Sequence, residues 1–337
     1  MKKISGKAVK SIFFGAFLYS ATALASGFTP EQIAKEVALY QKGDEWSVVD
    51  ITEQDLQNPI VKKAYDATVQ VGAASGIYLG KFNGKHIVAT NSHAVGGPKD
   101  CKQFPPKVVF GADTWTDTTA CVGAWPEIEL ALLVVKPYDI NGWDEEQDEP
   151  GPAEYDRGDK AVAGRASNFA FSKIPEFQTP LINVGFGIAG DASPDRGSPL
   201  KISTPRMTAD DDCRVLSQTG DARLLYDPDT INPLKYSAWS IAIACDISHG
   251  SSGSLMMNRG TGEVVAIGWT GTWPKAGQQH ITSREIDEIS RSNSPELWSR
   301  VNYAVPAFKI KEFLSKQIKT KKIVGRDAVI IRSILEK

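Results

Sequence analysis

The tightest constraint on this chain is a hairpin. Two apolar runs, Ile77–Phe82 and His86–Thr90, flank Asn83-Gly84, with Lys85 closing the turn. Both turn residues tolerate the positive φ that a two-residue antiparallel connection demands. The same pattern recurs along the chain. Ala67–Val71, Lys107–Phe110, Leu130–Val135, Ala161–Arg165, Leu181–Ile188, Cys213–Ser217, Ala238–Cys245, Ser254–Met257 and Val264–Trp269 read as further strands. Turn signals such as Arg259-Gly260-Thr261-Gly262 separate them. Many short strands with few helices predict an all-β fold of barrels or sandwiches, not α/β alternation.

Helical signals sit at the two ends. Thr29-Pro30-Glu31-Gln32 combines an N-cap threonine, proline at N1 and a capping-box glutamine ahead of Ile33, Val37 and Ala38. Pro306 opens a second segment in which Phe308, Phe313 and Leu314 share a face, with Lys316 and Lys319 near its C-terminal end. Between the strand-rich halves, the acidic, proline-containing stretch Trp143–Asp156 reads as a linker.

The first residues point to export. Lys2, Lys3, Lys7 and Lys10 precede an apolar stretch from Ile12 to Leu24 that ends in Ala23-Leu24-Ala25, a small-x-small cleavage pattern. The stretch is short of the roughly 20 apolar residues that span a bilayer. We therefore read residues 1–25 as a signal peptide, with no stable membrane anchor in the mature form and an extracellular or periplasmic destination. Removing its four lysines from 38 basic residues leaves 34 against 40 acidic ones, a net charge of −6. Such a balance gives no general attraction for nucleic acid. Cys101, Cys121, Cys213 and Cys245 all lie beyond the leader, and an even count in an exported chain favours disulfides. Three pairings are open; Cys101–Cys121 with Cys213–Cys245 keeps each bridge within one half. No C-x-x-C spacing is present, and neither a metal nor a cofactor is expected.

The chemistry concentrates in His249-Gly250-Ser251-Ser252-Gly253-Ser254-Leu255. Glycines on both sides of Ser252 let the backbone turn sharply, so that the N–H groups of Gly250 and Ser252 can face one developing oxyanion. A base is available upstream. His93 directly follows the hairpin in Thr90-Asn91-Ser92-His93-Ala94-Val95, where a strand gives way to a loop. His86 and His280 lack such a context, and His249 ranks below His93 because its loop must present backbone amides.

Together these motifs resemble those of trypsin-like, chymotrypsin-fold serine proteases. Ser75-Gly76-Ile77, the hairpin and Thr90-x-x-His93-Ala94-Val95 resemble the family's first catalytic motif. Glu129-Leu130-Ala131-Leu132-Leu133 resembles its Asp-x-Ala-Leu-Leu strand, and Gly250–Ser254 its nucleophile loop. Asn302-Tyr303-Ala304-Val305-Pro306 before a terminal helix is similar to bacterial members, particularly the V8-like, glutamyl-endopeptidase branch. The resemblance implies two antiparallel β-barrels and a C-terminal helix. We place an N-terminal extension or propeptide at 26–66, a first barrel at 67–142, the linker at 143–156, a second barrel at 157–304, and a helix and tail at 305–337. It also implies a secreted endopeptidase acting on polypeptides, with Ser252 as nucleophile, His93 as general base, Glu129 as the orienting acid and Gly250 and Ser252 as oxyanion donors.

Three departures matter. The acid is a glutamate, one methylene longer than the family's aspartate. Ser251 stands where trypsin carries the aspartate of its activation salt bridge, which argues against that switch. Asp246 lies six residues before Ser252, at the separation of a pocket-floor acid selecting Lys or Arg, but Cys245 is out of register with the family's loop cysteine. A structural capping role for Asp246 is therefore an equal expectation. Ile267-Gly268-Trp269-Thr270-Gly271 resembles the substrate-pairing strand, with Trp269 and Gly271 as candidate wall residues. The rival function is a degenerate protease fold that binds peptides without cutting them. An α/β-hydrolase esterase fails, because there the serine precedes the histidine.

Overall fold

The computed structural model describes residues 47–111, 113–142, 149–187, 204–227, 237–271 and 281–337. The signal peptide and the helix expected after Thr29 lie outside the described residues. Strand β1 (Val48–Asp50) is followed by helix α1 (Pro59–Ala67). The Asn58 side chain caps α1 by accepting from Ile60 N–H, Pro59 fills its first turn, and Val61, Ala64 and Ala67 form its buried face.

Six strands then close on themselves. β2 (Thr68–Val71), β3 (Ala74–Phe82), β4 (Lys85–Thr90), β5 (Val108–Val109), β6 (Thr114–Trp125) and β7 (Leu130–Asp139) form a barrel in the order β2-β3-β4-β7-β6-β5. The β3–β4 turn is the expected one, with Asn83 and Gly84 both at positive φ. Helix α2 (Gly97–Gln103) lies between β4 and β5, and α3 (Pro152–Ala161) follows the barrel.

The apolar runs of β3, β4 and β7 are buried on both faces. Tyr78, Val88, Leu133 and Val135 fill the barrel interior with Val69, Val108 and Phe110. The alternate residues, Ile77, Ile87, Leu132 and Val134, belong to a second core shared with Ile182, Val184, Leu255 and Ile267 from the other half. Each such aliphatic side chain contributes about 1.5–3 kcal/mol on burial, so the two halves are joined through a common core.

That second half is an eight-stranded sheet. β8 (Leu181–Gly185), β9 (Arg206–Thr208), β10 (Arg223–Tyr226), β11 (Ser237–Ile243), β12 (Leu255–Asn258), β13 (Val264–Gly271) and β14 (Asn302–Pro306) join β1 in the order β1-β9-β8-β12-β13-β14-β11-β10. The expected pair of barrels is thus met by one closed barrel and one large sheet. Helix α4 (Ser283–Ser292) starts at a complete Thr282–Glu285 capping box. After β14 come α5 (Ala307–Lys319) and a further helix, α6 (Gly325–Leu335). Phe308 and Leu314 are buried on α5, with Phe313 packed against the core. Both bridges form as expected, Cys101–Cys121 and Cys213–Cys245.

Several local expectations change. Ala161–Arg165 is not a strand; it is the end of α3 and the turn after it. Cys213–Ser217 makes only isolated bridges, Pro180 with Arg214 and Val215 with Ile243. The end of the stretch read as a linker is helical from Pro152, because α3 packs on the barrel. A Cβ at Gly158 would sit 2.4 Å from Tyr138 Cα, so only glycine permits that approach to β7. Asp159 of α3 bonds His86 Nε2 at 2.5 Å and takes both contacts from Lys81 Nζ, while His86 Nδ1 meets Tyr78 Oη at 2.7 Å. β6 has no apolar run to announce it, since it is threonine-rich and twice bulged.

Two outcomes follow from this helix. Gly158→Ala forces α3 off β7 and is expected to cost about 1–3 kcal/mol, read as a lowered thermal midpoint. Burial pushes the His86 imidazole below its ordinary pKa of 6.5, against the opposing pull of Asp159. The unfolded chain therefore takes up this proton first, and the contribution is lost as pH falls through the ordinary value. Denaturant titrations at neutral and mildly acidic pH should show a stability loss in the wild type that His86→Gln diminishes.

Candidate active site

Strand register places Glu129 beside His93. β4 pairs antiparallel with β7 so that Thr90 faces Ala131, which brings the residues just after Thr90 close to Glu129, two residues before Ala131. His93 then opens a single 3-10 turn, His93–Val95, closed by Gly96 in the left-handed region. Glu129 closes a second 3-10 turn, Pro126–Ile128, and itself adopts φ 39, a conformation that costs a side chain of this size about 1 kcal/mol or more. Asn91 helps hold it there by donating from Nδ2 to the Glu129 carbonyl at 2.8 Å.

The glutamate reaches its target. Glu129 Oε2 is 2.8 Å from His93 Nδ1 and also accepts the His93 backbone N–H at 3.2 Å. Glu129 is fully buried, whereas the His93 side chain keeps 30% of its surface exposed. Its other oxygen, Oε1, has no hydrogen-bond partner among the described residues. A carboxylate so removed from water gains most when the imidazole beside it becomes cationic. The same contact engages His93 Nδ1, so that proton exchange with a substrate would fall to Nε2.

Ser252 sits in a turn that only glycines can make. Gly250 and Gly253 have φ 87 and 86, and a Cβ on them would lie 2.4 Å from the Phe186 carbonyl and 2.2 Å from the Ser75 carbonyl. Within the loop, Ser251 N–H donates to Ser248, Gly253 N–H to Gly268 and Ser254 N–H to Ser251. Among the described residues the N–H groups of Gly250 and Ser252 have no acceptor. They are the pair expected to receive an oxyanion. Ser252 Oγ lies 3.5 Å from the Trp269 carbonyl oxygen, at the long limit of a hydrogen bond.

The specificity candidates fall out differently. The Trp269 ring is core, with Nε1 donating to Ser240 Oγ at 2.9 Å, so only its backbone faces the serine. Gly271 ends β13 opposite Asn302. Asp246 is 2% exposed and its Oδ2 accepts both the backbone N–H of Ser47 at 2.9 Å and its hydroxyl at 3.1 Å. It clamps the start of β1, the structural role weighed above, and β1 is further held by Asp50 on Arg206. Ser47 carries no recognisable signal in the sequence, because its partner is 199 residues away.

The profile of a trypsin-like peptidase domain matches residues 74–267, more than half of the chain. The chain belongs to the trypsin-like peptidase family. As such it is a serine-type endopeptidase, and the matched span contains His93, Glu129 and Ser252. No curated protein matches the sequence of this trypsin-like peptidase. Among solved structures, the inactive form of Rv3671c from M. tuberculosis H37Rv, as a serine-to-alanine mutant, is 15% identical with a TM-score of 0.45, covering 82% of this chain and 98% of that one. The inactive form of the Rv3671c protease is 14% identical, with a TM-score of 0.43 and coverage of 80% and 97%. Deg5 is 14% identical, with a TM-score of 0.38 and coverage of 78% and 94%.

Glu129→Gln keeps the shape but cannot accept from Nδ1–H in the same way, and it no longer compensates an imidazolium. We expect kcat to fall by about ten-thousand-fold, the scale for a comparable change in the serine protease triad, with peptide binding retained. Unchanged turnover would remove the carboxylate from the chemistry.

Proposed function

We propose that this trypsin-like peptidase is an exported serine endopeptidase that cleaves polypeptides through an acyl-enzyme. Ser252 Oγ attacks the peptide carbonyl carbon while its proton passes to His93 Nε2. The carbonyl oxygen becomes an oxyanion and takes the N–H groups of Gly250 and Ser252. Collapse breaks the C–N bond as His93 returns its proton to the departing amine. Water, deprotonated by the same nitrogen, then hydrolyses the ester and restores Ser252. Glu129 fixes the tautomer throughout and favours the transient imidazolium.

The observation that carries this reading is the 2.8 Å contact of the buried Glu129 with His93 Nδ1. A fold that merely binds peptides has no need to orient an imidazole with a fully buried carboxylate. Export is supported by the leader pattern and by two disulfides, and among the described residues no helix is long and apolar enough to cross a membrane. With the Asp246 carboxylate occupied by Ser47, we assign it no part in selecting the cleaved residue.

A fluorophosphonate probe tests the proposal. The mature protein should label covalently, Ser252→Ala should not, and both should have the same thermal midpoint. Wild-type protein that resists labelling would leave only the peptide-binding alternative.

A further inference from the structure

The geometry points to Ser75 as a positioning residue that sets the oxyanion donors from the opposite half of the molecule. This rests on the acyl-transfer reading above and adds to it a residue whose side chain meets the nucleophile loop through backbone groups.

Ser75 is fully buried near the start of β3, and each of its polar atoms is engaged. Its N–H donates to the Ser252 carbonyl at 2.9 Å. Its hydroxyl donates to the Gly250 carbonyl at 2.7 Å and accepts the Phe186 N–H at 2.8 Å. Its carbonyl accepts the Thr90 hydroxyl at 2.6 Å, three residues before His93. A serine hydroxyl has one proton to give, and here the loop carbonyl takes it.

The peptide planes of the loop show the effect. The plane between Gly250 and Ser251 is fixed at its oxygen by Ser75 and at its nitrogen by Ser248. The plane between Ser252 and Gly253 is fixed at its oxygen by Ser75 and at its nitrogen by Gly268. These two planes bracket the one that carries the Ser252 N–H, whose own oxygen accepts from Ser254. The Gly250 N–H stands immediately before the first of them. With the flanking planes immobile, the two N–H groups without acceptors keep fixed directions before substrate arrives, the condition for electrostatic stabilisation without reorganisation. The hydroxyl has room because Gly185 lacks a side chain; a Cβ there would lie 2.9 Å from Ser75 Oγ.

Ser75→Ala tests this against a merely structural role. We expect kcat on a peptide substrate to fall about 10- to 100-fold, the scale of a small misplacement of catalytic groups, with KM nearly unchanged. Affinity for a peptidyl trifluoromethyl ketone, which forms an oxyanion on Ser252, should fall by the same factor. The backbone amide resonances of Gly250 and Ser252 should shift. Ser75→Thr retains the hydroxyl and should keep the affinity for the ketone, which preserves the test if the alanine variant does not fold. A lowered thermal midpoint with kcat and ketone affinity unchanged would overturn the assignment. Wild-type protein that turns over no peptide overturns the acyl-transfer reading instead; the amide resonances then decide Ser75 alone, and unmoved signals in Ser75→Ala would overturn it.

Discussion

The site depends on a seam. His93 and Glu129 stand beside strands β4 and β7 of the closed barrel and Ser252 in the turn before β12 of the second sheet, so their relative placement is only as accurate as the packing between the two. A shared core of aliphatic side chains from both supplies the adhesion. Adhesion alone does not give register, because apolar contacts are not directional. Register comes from backbone contact at the rim, where Gly253 comes so close to the Ser75 carbonyl that no side chain fits between. The β3 rim and the Gly250–Gly253 turn thus meet without an intervening layer of side chains.

The same rim explains how the Glu129 carboxylate reaches His93. A longer side chain needs its backbone set differently, and Glu129 lies in the left-handed region as the cap of a 3-10 turn. The conformational cost is met by neighbours, with Asn91 holding the carbonyl and the His93 backbone amide holding the carboxylate. Strain of this kind persists only where surrounding contacts determine it.

Local turns and strands were more legible in the sequence than the architecture. Asn83-Gly84, the Leu130–Val135 run and the Gly250–Gly253 turn are local signals, and each appears where local rules predict. The bridges followed from proximity along the chain. What escaped was set by distant partners. Strand β6 is threonine-rich and held by pairing to β7, so its composition did not mark it. Helix α3 lies in charged, proline-bearing sequence and owes its docking to Gly158 and Asp159. Asp246 sat at a familiar separation from the serine, yet its partner is Ser47 at the far end of the chain. Spacing cannot reveal which group a buried carboxylate will meet.

The two bridges also bear on how the molecule is made. Cys101 and Cys121 are 20 residues apart and Cys213 and Cys245 are 32 apart, and no bridge joins the halves. For a chain emerging N-terminus first, the first two thiols are available to each other before the second pair has appeared. Four thiols released together have three ways to pair; thiols delivered in sequence have only one at each stage. Each closed loop of this size restricts the unfolded ensemble by about 3 kcal/mol or somewhat more. The barrel beside which His93 and Glu129 lie can therefore be locked in oxidised form while most of the sheet that flanks Ser252 is still being delivered.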